Sequence, residues 1–110
     1  MGTGFSYDRD DATVDHLLGN IKNVLKECRG IRRAGSAALD MCYVAKGSLT
    51  LYYEHAVHAW DIAGGCIIVQ EAGGVVANMY GDAFDVCQGQ VLVGNATLVA
   101  AIQPHLHKKL

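Results

Sequence analysis

The sequence predicts one layered α/β domain. Short β-rich segments alternate with helical segments along the chain, and the helical segments are apolar enough to be buried. Size agrees with this. With 110 residues, 51% hydrophobic and 18% charged, the chain suits a single core and is too apolar for disorder. One proline excludes a collagen-like or polyproline architecture.

Each element has a local reason. Gly2 to Asp10 is polar and glycine-rich around Phe5 and Tyr7, and suits a loop or a strand end. From Asp11, residues Val14, Leu17, Leu18, Ile21, Val24, Leu25 and Cys28 recur at helical spacing. Asp10 or Asp11 can cap this amphipathic helix and Gly30 can terminate it. Ile31-Arg32-Arg33 suits a short strand. Ser36 is a natural N-cap for a second helix stopped by Gly47; its body is apolar nearly all round, which predicts burial on most sides. Leu49 to Tyr53 are β-formers in a strand that ends at Glu54. A third helix runs from about Asp61 to Ala72 and closes at Gly73-Gly74. Val75 to Met79 is a strand, Tyr80-Gly81-Asp82 a turn, and Val91-Leu92-Val93 a further strand. Asn95 or Thr97 caps a last helix, whose basic end at His105, His107, Lys108 and Lys109 suits the negative pole of the helix dipole.

Composition narrows the function. Nine Lys and Arg against eleven Asp and Glu give a formal net charge of -2, with no basic block, so no nucleic-acid partner is expected. No apolar run approaches the ~20 residues of a membrane span, and neither a membrane nor a secretory signal is expected. Met1 to Ser6 fits the loose myristoylation pattern, and Asn95-Ala96-Thr97 fits a glycosylation acceptor. The four cysteines, 28, 42, 66 and 87, form no C-x-x-C pair and sit mostly in apolar segments. They read as buried thiols of a reducing compartment, so the expected location is cytoplasmic.

Three places could carry chemistry. At Ala34-Gly35-Ser36-Ala37-Ala38 a turn of small residues opens a helix. The free N–H groups of a helix start attract phosphate, and glycine lets an anion approach the backbone; an ordinary capped turn explains the same residues. In Glu54-His55-Ala56-Val57-His58-Ala59-Trp60-Asp61, one carboxylate closes a strand and another opens a helix, so both can meet at a loop mouth. Asp61 is either a plain N-cap or a hard oxygen ligand suited to Mg²⁺. His55, His58 and Asp61 also spell H-x-x-H-x-x-D, a weak zinc pattern. In Gln70-Glu71-Ala72-Gly73-Gly74, the double glycine is explained by a Schellman-type stop.

Together these segments resemble one family. Trp60-Asp61-Ile62-Ala63 followed by Glu71-Ala72-Gly73-Gly74 closely resembles the C-terminal W-D-x-A…E-A-G-G signature of the inositol monophosphatases. Arg33 to Cys42 resembles the family's phosphate-side turn and helix, and Thr3 to Asp10 its T-G-F-x-Y-x-R-D stretch. The order, the spacing and Tyr52-Tyr53-Glu54 also fit, over essentially the whole chain. By this resemblance the myristoylation match is accidental.

The resemblance implies an αβαβα sugar-phosphatase fold, of which residues 1–110 would be the C-terminal half, a mixed sheet flanked by helices. It implies Mg²⁺-dependent hydrolysis of inositol monophosphate, a small-molecule phosphate as partner, and a homodimer for the full-length protein. Asp61 would be a metal ligand near the substrate, Glu54 would accept hydrogen bonds from inositol hydroxyls, and Gly35, Ser36 and Ala37 would form the substrate-contacting turn. The family's Glu-Glu pair and D-P-[IL]-D-G-[ST] segment, which supply the first metal site, do not occur in residues 1–110. No catalytic residue is therefore assigned, and the isolated chain is expected to be inactive. A helix that would pack on the other half should leave an exposed apolar patch. Fructose-1,6-bisphosphatase-like phosphatases share the layered fold, and a non-catalytic pairing module is the alternative from a different class.

Overall fold

The computed structural model describes residues 1–5 and 9–106. The elements are β1 (Gly2–Thr3), α1 (Asp11–Leu25), α2 (Ala37–Lys46), β2 (Leu51–His55), α3 (Ala59–Glu71), β3 (Val75–Ala77), β4 (Gln90–Gly94) and α4 (Ala96–Ile102). Single 3-10 turns lie at Val86–Gln88 and Gln103–His105. The four strands form a mixed sheet in the order β1-β2-β4-β3. β1 runs parallel to β2, while β4 runs antiparallel to both β2 and β3. The predicted α/β class and mixed sheet are present.

Strand alternation divides the core between the two faces of the sheet. Leu51, Tyr53 and Leu92 point to one face and pack with Val24 of α1 and with Val99 and Ile102 of α4. Tyr52, Val91 and Val93 point to the other, against Met41 of α2 and Ile62, Cys66 and Val69 of α3. Glu54 follows Tyr52 by two positions and therefore shares the α2/α3 face. α2 and α3 approach closely at Gly65, where a methyl group would come within 2.7 Å of the Met41 sulfur.

Capping sets the helix ends. Asp10 caps α1, Ser36 caps α2 and Asn95 caps α4, each accepting from a backbone N–H three residues on. Gly47 ends α2 at φ 93°, a left-handed conformation that glycine adopts without a Cβ penalty. At the end of α3, Gly74 N–H bonds Val69 O and Gly73 N–H bonds Gln70 O, which is the expected Schellman stop.

Several expectations need correction. α1 ends at Leu25, before Gly30, because Glu27 and Cys28 N–H both turn back to Val24 O. Its Leu18 and Leu25 are exposed, while Thr13 and Asn20 are buried. The 31–33 strand reduces to one bridge between Gly2 and Arg32. Cys66 is buried, Cys28 and Cys42 are half-buried and Cys87 is exposed, so the buried-thiol reading fails at Cys87. α2 is not buried on most sides, since Leu39 is 55% exposed and Tyr43 is also exposed. The exposed apolar residues expected on the second helix are thus present on α2, and on the neighbouring α3 Trp60, Ile67 and Ile68 are exposed as well. The family stretch at Tyr7 and Asp8, and the basic end at His107, Lys108 and Lys109, lie outside the described residues.

Candidate functional site

An open pocket of about 380 Å³ lies where the starts of α2 and α3 meet the end of β2. Its lining includes Gly4, Arg33, Gly35, Ser36, Glu54 and Asp61. Ala37, also in that lining, completes the set of site residues expected from sequence, so all five converge on one cavity.

The turn before α2 is built for close approach. Gly35 has φ 91°, a conformation most side chains avoid. Ser36 accepts the Leu39 N–H at 3.3 Å. The first N–H groups of the helix, at Ala37 and Ala38, have no acceptor within it, and both residues face the pocket. Such a helix start favours an anion through its partial positive charge. The Arg33 guanidinium adds full charge at the same rim, 5.8 Å from the Phe5 ring centroid.

Glu54 forms the floor. The Tyr52 hydroxyl donates to Glu54 Oε1 at 2.6 Å. Burial pushes the Glu54 carboxyl above the usual range and the negative fields of Asp40 and Asp61 add to this, while the Tyr52 hydrogen bond and the Arg33 charge pull it back. Tyr52 is driven well above an ordinary phenol, first by burial and then by its bond to Glu54, so it stays a donor.

Asp61 is not the N-cap. His58 holds that position, and Asp61 sits three residues on, accepting the His58 backbone N–H at 3.0 Å through Oδ2. Its other oxygen makes no hydrogen bond among the described residues. Ala56, on the pocket wall, has φ 64°, a strained conformation for alanine.

The metal question turns on the donor set. Among the described residues, no three His, Cys, Asp or Glu side chains come together as a metal-binding group. Asp61 is one hard oxygen ligand, whereas a divalent cation needs several. These residues therefore do not make a metal centre by themselves. The zinc pattern is also taken apart: His55 packs edge-on against His16, with ring centroids 5.3 Å apart, while His58 stacks on Trp60 at 4.3 Å.

Sequence reasoning passed over three contributors. Tyr52 was legible, because residues two apart on a strand share a face. Arg33 belonged to the resembling segment without an assigned task. Asp40 was hidden in the body of α2; it is 1% exposed, and neither carboxyl oxygen has a hydrogen-bond partner among the described residues. Burial raises its pKa, against a lowering by Arg33.

Known proteins share this fold and much of this sequence. The sequence profile of the inositol monophosphatase family matches residues 1–110. Nus factor SuhB of Pseudomonas aeruginosa is 37% identical over 115 residues, covering 100% of this chain and 42% of that protein. Human inositol monophosphatase 1 is 39% identical over 99 residues, covering 89% of this chain and 36% of that protein. The solved structure of inositol monophosphatase from Anabaena superposes with a TM-score of 0.87 at 33% identity, covering 96% of this chain and 41% of that one. The chain thus spans about two fifths of the length of these relatives. Both the sequence match and the shared fold place it in the inositol monophosphatase family.

Proposed function

We propose that this chain forms the phosphate- and polyol-binding part of a phosphoric monoester hydrolase, one that converts inositol monophosphate to inositol and phosphate. The observation that carries this reading is the convergence of the α2 start, Glu54 and Asp61 on one pocket. The N–H groups of Ala37 and Ala38 receive the phosphate, with Ser36 and Gly35 shaping the approach. Glu54 accepts hydrogen bonds from ring hydroxyls. Asp61 offers one oxygen to Mg²⁺, the ion that the family resemblance implies, and the remaining ligands come from carboxylates outside residues 1–110. Mg²⁺ would supply charge stabilisation to the phosphoryl group and its leaving oxygen. In this reading residues 1–110 are the C-terminal half of the fold and do not hydrolyse the ester alone, and the complete protein is a cytoplasmic homodimer.

The test is reconstitution. The chain is mixed with a polypeptide corresponding to the remaining three fifths of the Anabaena relative, and phosphate release is followed with Mg²⁺ present. Release from inositol 1-phosphate that requires both parts and is lost in Asp61→Asn supports the reading. Full activity of the Asp61→Asn mixture contradicts it, and a preference for fructose 1,6-bisphosphate would move the assignment to that sister group.

A second reading, a non-catalytic module that pairs with another polypeptide, draws on the bare apolar face of α2 and α3. The Pseudomonas relative is named Nus factor SuhB. Co-purification with an intact family member, with no gain in phosphate release, favours this reading.

A further inference from the structure

Glu54 is held by two neighbours. Beneath it, the Tyr52 hydroxyl donates 2.6 Å to Oε1. The Tyr52 ring is fully buried among Met41, Ile62, Val91 and Val93, so this hydroxyl has no room to swing away. The bare Cα of Gly4 also lies against the carboxyl group, where an added methyl would collide with it, most closely at Oε1. Among the described residues, Glu54 makes no other hydrogen bond. With Oε1 committed to Tyr52, Oε2 is the oxygen left for a ligand in the pocket.

We propose that Tyr52 and Gly4 are positioning residues that fix the direction of the Glu54 carboxylate and thereby set the preference for a polyhydroxylated ring over a simple phosphate ester. This assignment rests on Glu54 acting as the polyol acceptor. A carboxylate that could rotate freely would have to be ordered by each incoming ligand. One already tied by a short hydrogen bond presents its free oxygen without that entropy loss.

The test compares two ligands on the 110-residue chain, inositol 1-phosphate and phenyl phosphate, which lacks ring hydroxyls. Their affinities are measured by NMR titration for the parent chain, Tyr52→Phe and Gly4→Ala. Tyr52→Phe keeps the buried ring and removes only the donor. Gly4→Ala crowds the carboxyl with a methyl and leaves the Tyr52 side chain itself unaltered. Each variant is expected to lower the preference for inositol 1-phosphate about tenfold, the scale of one hydrogen bond to a charged group. The phenyl phosphate affinity should change by less than about twofold, since the phosphate contacts lie on α2.

Carbon-detected NMR of the ligand-free chain provides a second readout. The Glu54 carboxyl resonance should move in both variants. An unmoved resonance in either folded variant, or an unchanged ligand preference, overturns the positioning role. A parent chain that shows no preference between the ligands overturns the polyol role of Glu54 instead, and the ligand-free resonance still decides whether Tyr52 and Gly4 hold it.

Discussion

Asp40→Asn should make this protein more stable, and only at pH values where the parent residue is forced to ionise. The Asp40 carboxyl is 1% exposed, and neither oxygen accepts a hydrogen bond among the described residues. Leaving a buried polar group without a partner costs about 1–3 kcal/mol, and more when it is charged. The α2 start and the Arg33 field return about 0.5–1 kcal/mol of this. The extra cost of the charge at neutral pH, which an amide of the same shape avoids, is taken as about 1–2 kcal/mol.

The sign follows from linkage. The folded pKa of Asp40 lies above its unfolded value, so between the two the folded state binds more protons, and stability falls as pH rises. Below the unfolded value, about 3.9, the charge-dependent part of the penalty is absent because the group is neutral in both states. Asparagine has nearly the same shape and no charge. Thermal unfolding followed by circular dichroism should therefore show Asp40→Asn melting about 5–15 °C higher than the parent at pH 7.5. At pH 3 the two should melt together within about 2 °C. Burial raises Glu54 too, so a weaker slope of the same sign should remain in the variant. A variant that melts lower at pH 7.5, or gains equally at both pH values, refutes the reasoning.

Other perturbations probe separate parts of the account. Gly65→Ala places a methyl 2.7 Å from the Met41 sulfur and 2.9 Å from its Cβ, so it should destabilise by about 1–3 kcal/mol in urea unfolding. Ser36→Ala removes the acceptor for Leu39 N–H and should cost about 1 kcal/mol by the same measurement. The apolar face of α2 and α3 should bind a hydrophobic dye and drive self-association; Leu39→Glu with Ile67→Glu should reduce both in sedimentation and fluorescence assays. A monodisperse parent chain that binds no dye contradicts that expectation.

Much of this was legible in the sequence, for identifiable reasons. Ser36, Gly47 and the Gly73-Gly74 stop were readable because capping chemistry is local and carried by a few residue types. The meeting of Glu54 with Asp61 followed from one residue closing a strand and the other opening the next helix. The misses were tertiary. Gly30 has the right identity for a helix stop, but α1 had already ended, its last turn closed by bonds to Val24 O. Leu39 and Tyr43 look like core residues by type, and only the packing of α2 against the sheet shows that they lie on its outer side. Asp61 reads as a cap from its position near a helix start, yet His58 begins the helix and Asp61 binds back to it. Asp40 could not be found from spacing, because its significance lies in having no hydrogen-bond partner among the described residues.

The account turns on a shared anion and polyol site between the α2 turn and the two carboxylates, and amide mapping tests that most directly. Nitrogen-15 NMR of the chain titrated with inositol 1-phosphate should give saturable shifts at Gly35, Ser36, Ala37 and Ala38, together with shifts around Glu54 and Asp61. Shifts centred on the far side of the sheet, among α1 and α4, or no saturable shift at the α2 turn, would contradict it.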